Sequence, residues 1–213
     1  MYQPRAFVET DLAQLDALFA IDPFVTLVTH DEAGASFASH LPVLYLRDGE
    51  RIHIEGHWAR PNPQASHRPE ALMIVHGPHA YVSPGWYPDK LGAGRVPTWN
   101  YLAVHCTVQA TLIEEPAAKD ALLKKLIGDH EPAYAVQWRS LGEEFAHKML
   151  AGIVAFELAV TRVQCKIKLN QHRPESHAAM RQVYAGGGED EQALGRWMDR
   201  LGMPRQAQEG GLS

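Results

Sequence analysis

The sequence predicts a mainly β fold with peripheral helices, built on an antiparallel sheet that closes or nearly closes. Three observations predict it. Stretches rich in β-branched and aromatic residues follow one another, and the longest, Thr98 to Ile113 and Gly152 to Leu169, exceed ordinary strand length. Hairpin signals such as Asp48-Gly49 separate several of them. About six strands and three or four helices do not alternate as βαβ units, which argues against a parallel sheet.

The first element reads as a helix. Asp11 is placed to cap it with Gln14 three residues on, Leu12, Leu15, Leu18 and Phe19 share a face, and Pro23 ends it. Phe24 to Thr29 reads as a strand, Asp31-Glu32-Ala33-Gly34 as a turn, and Ser36 to Leu46 as a second strand interrupted at His40-Leu41-Pro42. Pro42 donates no ladder hydrogen bond, so it marks an edge or a bulge. Arg51 to His57 alternates, with Ile52 and Ile54 on one side. Asn62-Pro63 reads as a cap followed by proline at the first helical position. Ala71 to Val75 is a continuous apolar run suited to a central strand, and Ser83 to Pro97 is a Pro- and Gly-rich loop. Helices are expected over Pro116 to Ile127 and between Leu141 and Met149. The tail carries one short amphipathic segment, Leu194 to Leu201, and its last residues are expected to be disordered.

The chain has 213 residues, enough to bury a substantial core. Its two cysteines, Cys106 and Cys165, make no disulfide framework and read as reduced, buried thiols. No stretch approaches the roughly 18 apolar residues of a membrane span, and no apolar signal segment follows Met1, so the expected compartment is the cytoplasm. The formal net charge of −5 gives no support to direct DNA binding, which would need a basic patch assembled by dimerisation.

Four segments can carry chemistry. In Gly56 to Gln64 a strand gives way to a helix N-terminus with Arg60 just ahead of it, a combination that suits a phosphate or an ordinary strand-to-helix junction. In His76 to Pro84, Gly77-Pro78 permits a sharp turn, with His79 and Tyr81 beside a cavity or Tyr81 in a core. In Val96 to His105, Trp99 and Tyr101 share one strand face and Asn100 faces the other way. In Lys166 to Pro174, Lys168 and Asn170 alternate with Ile167 and Leu169. The twelve histidines define no metal site. His53 and His57 would lie about 13 Å apart along a strand at roughly 3.3 Å per residue, too far to share a zinc. His76 and His79 could converge about a turn, but no carboxylate or cysteine completes a set. No nucleophile elbow, P-loop or dinucleotide fingerprint occurs.

Taken in order, Met1-Tyr2-Gln3-Pro4 with Phe7, Ser39-His40-Leu41-Pro42, Gly56 to Gln64, Gly77 to Pro84, Val96 to His105, and Lys168-Leu169 with Gln171 and Arg173 resemble the PaiB-type FMN-binding negative transcriptional regulators, from residue 1 to about 180. The resemblance implies an antiparallel FMN-binding split β-barrel over 1–175, followed by a partly flexible helical tail over 176–213. It implies a homodimer with FMN in a groove between subunits. By position, Ala59, Arg60 and Asn62 would hold the phosphate, with His57 and Gln64 beside them. Ser39, His40, Leu41 and Pro42 would run along the isoalloxazine ring through backbone groups. Trp99 and Asn100 would approach the ring or ribityl chain, and Lys168 and Gln171 would reach the cofactor from the partner subunit. Ile167, Asn170 and His172 depart from the tryptophan, serine and asparagine common in that family.

The expected function is an FMN-dependent regulator without catalytic residues of its own. The alternatives are a flavin-dependent oxidoreductase, with the flavin supplying the hydride chemistry, and a haem-binding split barrel using His57, His76, His79 or His105.

Overall fold

Apolar residues at every second position set the faces of the strands, and the turns between them fall where glycine and aspartate are placed. The computed structural model describes residues 1–89, 94–140 and 142–203. In chain order the elements are β1 (Val8–Glu9), α1 (Leu12–Ile21), β2 (Phe24–His30), β3 (Ser36–Pro42), β4 (Leu44–Asp48), β5 (Arg51–Ala59), β6 (Glu70–Val82) and β7 (Thr98–Ile113). They continue with α2 (Pro116–His130), α3 (Tyr134–Ser140), α4 (Glu143–Ala151), β8 (Ile153–Lys168), α5 (His177–Ala185) and α6 (Glu189–Arg200). The strands form an eight-stranded antiparallel sheet in the order β3-β2-β6-β7-β8-β5-β4, with β1 on β8. The sheet is not closed; β3 and β4 end it, so the strand that carries Pro42 is an edge.

The chain divides into two units, and β6, β7 and β8 contribute to both. The first comprises Leu12–Val75 and His105–Val163. Here α1 buries Leu15, Leu18 and Phe19, and Phe19 stacks on Tyr45 with ring centroids 4.3 Å apart. The Asp31 carboxylate accepts from Ala35 N (2.8 Å), closing the β2–β3 turn around Gly34 at φ 87°. In the next hairpin Asp48 pairs with Arg51, so the loop is Gly49-Glu50, one residue later than the Asp-Gly signal suggests. Gly49, at φ 60°, occupies the first loop position, which type II′ turns reserve for glycine. Glu115 caps α2 by accepting from Ala118 N. Leu122 and Leu126 of that helix join Leu44 and Ala155 in a cluster, with Ile113 and Leu123 packed against it. Each such side chain, fully buried, is worth about 1.5–3 kcal/mol.

The second unit comprises Met1–Asp11, His76–Val104 and the chain from Gln164. In it β1 pairs with β8 through Val8↔Lys166 and Glu9↔Cys165. Its core includes Met180 and Tyr184 of α5 and Leu194, Trp197 and Met198 of α6.

The structure departs from the sequence reading at several points, and the strand expected over Ser36 to Leu46 is two strands, β3 and β4, which end the sheet order on opposite sides. The sharp turn expected at Gly77-Pro78 is absent, and β6 runs straight through it. The two residues instead absorb a slip of one: burial falls on Ala71, Met73 and Val75 before them and on Ala80 and Val82 after them. Asn62-Pro63 opens a 3-10 turn of 4 residues, Pro63–Ser66, rather than an α-helix. Helix α3 carried no clear sequence signal, α5 falls within the helical tail expected over 176–213, and α6 starts earlier than the amphipathic segment, with Glu189, Asp190 and Glu191 in its first turn. The disorder expected of the last residues concerns 204–213, which lie outside the described residues.

Gly56 is required by a close approach: a Cβ there would sit 2.6 Å from Phe156 Cζ in the core. Gly56→Ala is expected to destabilise the fold by about 1–3 kcal/mol, measured as a lower urea midpoint with unchanged slope.

Candidate functional site

In the first unit β5 delivers His57, Trp58 and Ala59 to a bend, stabilised by Asn62 N donating to Ala59 O and Arg60 N donating to Gly152 O. Asn62 then does two things. Its Oδ1 accepts from Gln64 N (3.0 Å), and its Nδ2 donates to Ser39 Oγ on β3 (2.9 Å). Gln64 is buried, and its Nε2 reaches Leu27 O (3.0 Å), Thr29 Oγ1 (2.9 Å) and Phe37 O (3.3 Å). Ser39, Asn62 and Gln64 thus form one connected group.

The Gln64 contacts also orient the edge strand. One nitrogen reaches both Leu27 O and Phe37 O only if both carbonyls lie within the β2–β3 ladder. The pairs Leu27↔Ser39 and Thr29↔Phe37 are then the hydrogen-bonded ones, so Ala38 and His40 turn their N–H and C=O groups to the outer side, where the sheet ends. The His40 ring meets Thr26 Oγ1 (2.9 Å), Leu41 is buried, and Pro42 is exposed.

Arg60 is held differently from the expectation. Its Nε donates to Ala151 O and its Nη2 to Ile153 O (2.9 Å), so two of the guanidinium nitrogens are fixed on carbonyls. Nη1 makes no hydrogen bond among the described residues. A 3-10 turn of this length has little dipole, so the helix-terminus argument for a phosphate drops away and the attraction falls to Arg60 itself.

In the second unit Trp99 is half exposed (52%), with the rings of His79 and Tyr81 each 6.1 Å away. Asn100 faces inward, is fully buried, and donates to Tyr184 OH (3.0 Å); burial pushes that phenol up to about 12. Asn100 Oδ1 is buried without a partner among the described residues. Lys168 Nζ donates to Thr98 Oγ1 (2.6 Å) and lies 5.9 Å from the Tyr101 ring centroid. Gln171 is occupied locally: its Oε1 accepts from Leu169 N (2.9 Å) and its Nε2 donates to Ile167 O (2.6 Å). Asn170, at φ 64°, donates to Tyr87 OH and to Ser176 Oγ. A cleft here takes in Lys168, Thr98, Tyr87, Arg95, His172 and Arg173. Sequence reasoning did not find Tyr87 or Arg95, because the segment that carries them has no periodicity.

No group of three or more metal-ligating side chains occurs among the described residues. His76 and His79 lie along one continuous strand and do not converge, and His79 pairs with Asp190 (3.3 Å). Both cysteines are free and buried, and burial, with Glu9 nearby, pushes the Cys165 thiol up to about 12, far from a reactive thiolate. No helix among the described residues is long and apolar enough to cross a membrane.

The open eight-stranded antiparallel sheet with its helices is a split-barrel fold. The fold superposes on the flavocytochrome Anf3 from Azotobacter vinelandii with TM-score 0.56 and 18% identity, covering 78% of this chain and 72% of that one. It superposes on the FAD and heme binding protein from Mycobacterium smegmatis with TM-score 0.55 and 18% identity, over 76% and 73% of the two chains. At that identity the likeness is one of fold. Residues 1–162 match the family described as "Putative FMN-binding domain". The chain is also 33% identical over 181 residues to the protease synthase and sporulation protein PAI 2 of Bacillus subtilis (strain 168), covering 83% of this chain and 84% of that protein. The chain belongs to this FMN-binding-domain family, and it is PaiB-like.

His57 gives a pH test of the site. Its Nδ1 is buried without a partner among the described residues, and burial lowers its pKa from the ordinary 6.5. A base with a depressed folded pKa takes up its proton more readily when unfolded. The stability is therefore complete above about pH 6.5 and declines as pH falls towards the folded value. The difference in urea midpoint between about pH 7.5 and pH 5.5 should shrink in His57→Gln.

Proposed function

We propose that this chain is a cytoplasmic, homodimeric FMN-binding protein that acts as a negative transcriptional regulator, with FMN as its ligand. Membership of the FMN-binding-domain family and the likeness to PAI 2 support the reading. The observation that carries it is the posture of Arg60, pinned by Ala151 O and Ile153 O with Nη1 left over. A guanidinium fixed in this way meets a phosphate monoester with little further loss of freedom, and the resulting bond is charge-assisted. Ala59 and Asn62 shape the bend around it. The outward N–H and C=O groups of β3 at His40, flanked by Ser39, Leu41 and Pro42, form an alternating donor and acceptor edge. The pyrimidine edge of an isoalloxazine ring carries the complementary alternation. Gln64 supports that edge through Phe37 O, and His57 stands beside the Arg60 bend on β5.

In this reading Asn100, fully buried and bonded to Tyr184 OH, holds the strand that carries Trp99, and Lys168 and Gln171 come from the second copy. Trp99 offers a flat half-exposed indole for stacking, and Lys168 offers the charge. With the Gln171 carboxamide engaged by its own turn, its part is to hold the Lys168 segment in shape. FMN supplies redox chemistry when bound, and the chain supplies binding and orientation. A formal net charge of −5 makes any DNA contact the property of a local basic patch on the dimer.

Titration of purified protein with FMN, followed by flavin fluorescence and absorbance, tests the reading. Saturable one-to-one quenching is expected, and Arg60→Gln should weaken it about tenfold or more, the loss of one charge-assisted hydrogen bond. No binding by the unmodified protein, or equal binding by Arg60→Gln, would remove the assignment. Light scattering that returns a monomer would remove the dimer, and absence of a gel shift at low salt would remove direct repression.

A further inference from the structure

The second unit contains a cleft of about 340 Å³, at the small end of ligand pockets. Its walls are aromatic and its charges are unbalanced. Phe7 lies edge-on to His172 with centroids 5.4 Å apart, and Tyr87 is held by the bond from Asn170 to its hydroxyl. Arg95 stacks over Tyr87, 4.7 Å from the ring centroid, and is satisfied by Asp89 (2.5 Å) and Glu175 (2.9 Å). Those two carboxylates are thereby engaged. Lys168 and Arg173 also line the cleft; neither is within ion-pair distance of a carboxylate among the described residues, and Arg173 is near enough to Asp89 to help hold that carboxyl down, which leaves Lys168 as the uncompensated charge. The ammonium of Lys168 has only the Thr98 hydroxyl and the Tyr101 ring. A partly buried ammonium without a counter-ion carries an uncompensated desolvation cost that an anion would offset. Two titrating groups register this field. Burial, and then Lys166, push the Lys168 ammonium down, with Tyr101 opposing. Burial, then Arg173 and Lys168, hold the His172 imidazole below its usual range against the pull of Glu175.

We propose that this cleft binds a small organic anion, a carboxylate or phosphate monoester on a flat apolar group, as a second ligand beside the flavin. The anionic end sits at Lys168, the Thr98 hydroxyl and Arg173. The flat part lies between Phe7 and Tyr87. The site shares Lys168 with the residues assigned to FMN, and an anion held there takes that ammonium from the flavin, while the Arg60 assignment stands apart from it.

Calorimetric titration with phenyl phosphate and with benzoate, using benzyl alcohol as the uncharged control, tests it on FMN-loaded and FMN-free protein. At least one of the two anions should bind and benzyl alcohol should not, and the winner distinguishes phosphate from carboxylate chemistry. Lys168→Met should weaken binding about tenfold or more, and Lys168→Arg should retain most of it. Binding should also raise the His172 titration midpoint in proton NMR of the unmodified protein, since an anion stabilises the imidazolium. Anion binding no tighter than that of benzyl alcohol, or unchanged in Lys168→Met, overturns the proposal. Displacement of FMN by phenyl phosphate also overturns it, by making the cleft the flavin's own phosphate site. If FMN itself fails to bind, the titration of flavin-free protein still decides the matter, so the two readings fail separately.

Discussion

The buried carboxamide of Gln64 is the contact on which the candidate site is built. Its one nitrogen joins Leu27 O and Thr29 Oγ1 of β2 to Phe37 O of β3, and its backbone N–H is held by Asn62. Thr29 Oγ1 in turn meets the His67 ring (2.8 Å). The Gln64 Oε1 is buried without a partner among the described residues, so the amide nitrogen's bonds carry the group, and removing them would leave the whole carboxamide with its desolvation cost. Because Gln64 is fixed, Asn62 is fixed, and through it Ser39. The bend that carries Ala59 and Arg60 therefore cannot drift away from the edge strand.

Much of the fold was legible in the sequence because it rests on local pattern. β5 alternates, and Ile52, Ile54 and Trp58 go inside as that alternation requires. β7 occupies the residues the sequence marks for it, and Glu115-Pro116 starts α2 by a side-chain cap. The failures share one cause, which is that long-range contacts decided them. Gly77-Pro78 has turn chemistry, yet the strand continues, because residues on both sides of the pair have apolar side chains to bury. Asn62-Pro63 has capping chemistry, yet only a short turn follows. The site was legible as a set of segments but not as a geometry. The carbonyls that hold Arg60 lie 91 and 93 residues further along the chain, and no spacing rule reaches that far.

The turn that follows β8 has a physical reading. Asn170 sits at φ 64°, the left-handed region that asparagine tolerates better than most side chains. From there its carboxamide holds Tyr87 and Ser176, and its carbonyl meets the His177 ring (3.0 Å). Ile167 is fully buried beside it. Asn170 and Ile167 thus serve a locally packed turn, which leaves Lys168 as the residue of that segment with chemistry to spare.

The slip in β6 has a consequence for how the gene can change. Beyond Gly77-Pro78, the identity of every inward position depends on the count of residues before it. Loss of a single codon there would turn His79 and Tyr81 inward and expel Ala80 and Val82. The open loops at Gly34 and Gly49 have space around them and no such parity to keep. Natural length variation should therefore collect at those hairpin tips and be purged from the middle of this strand.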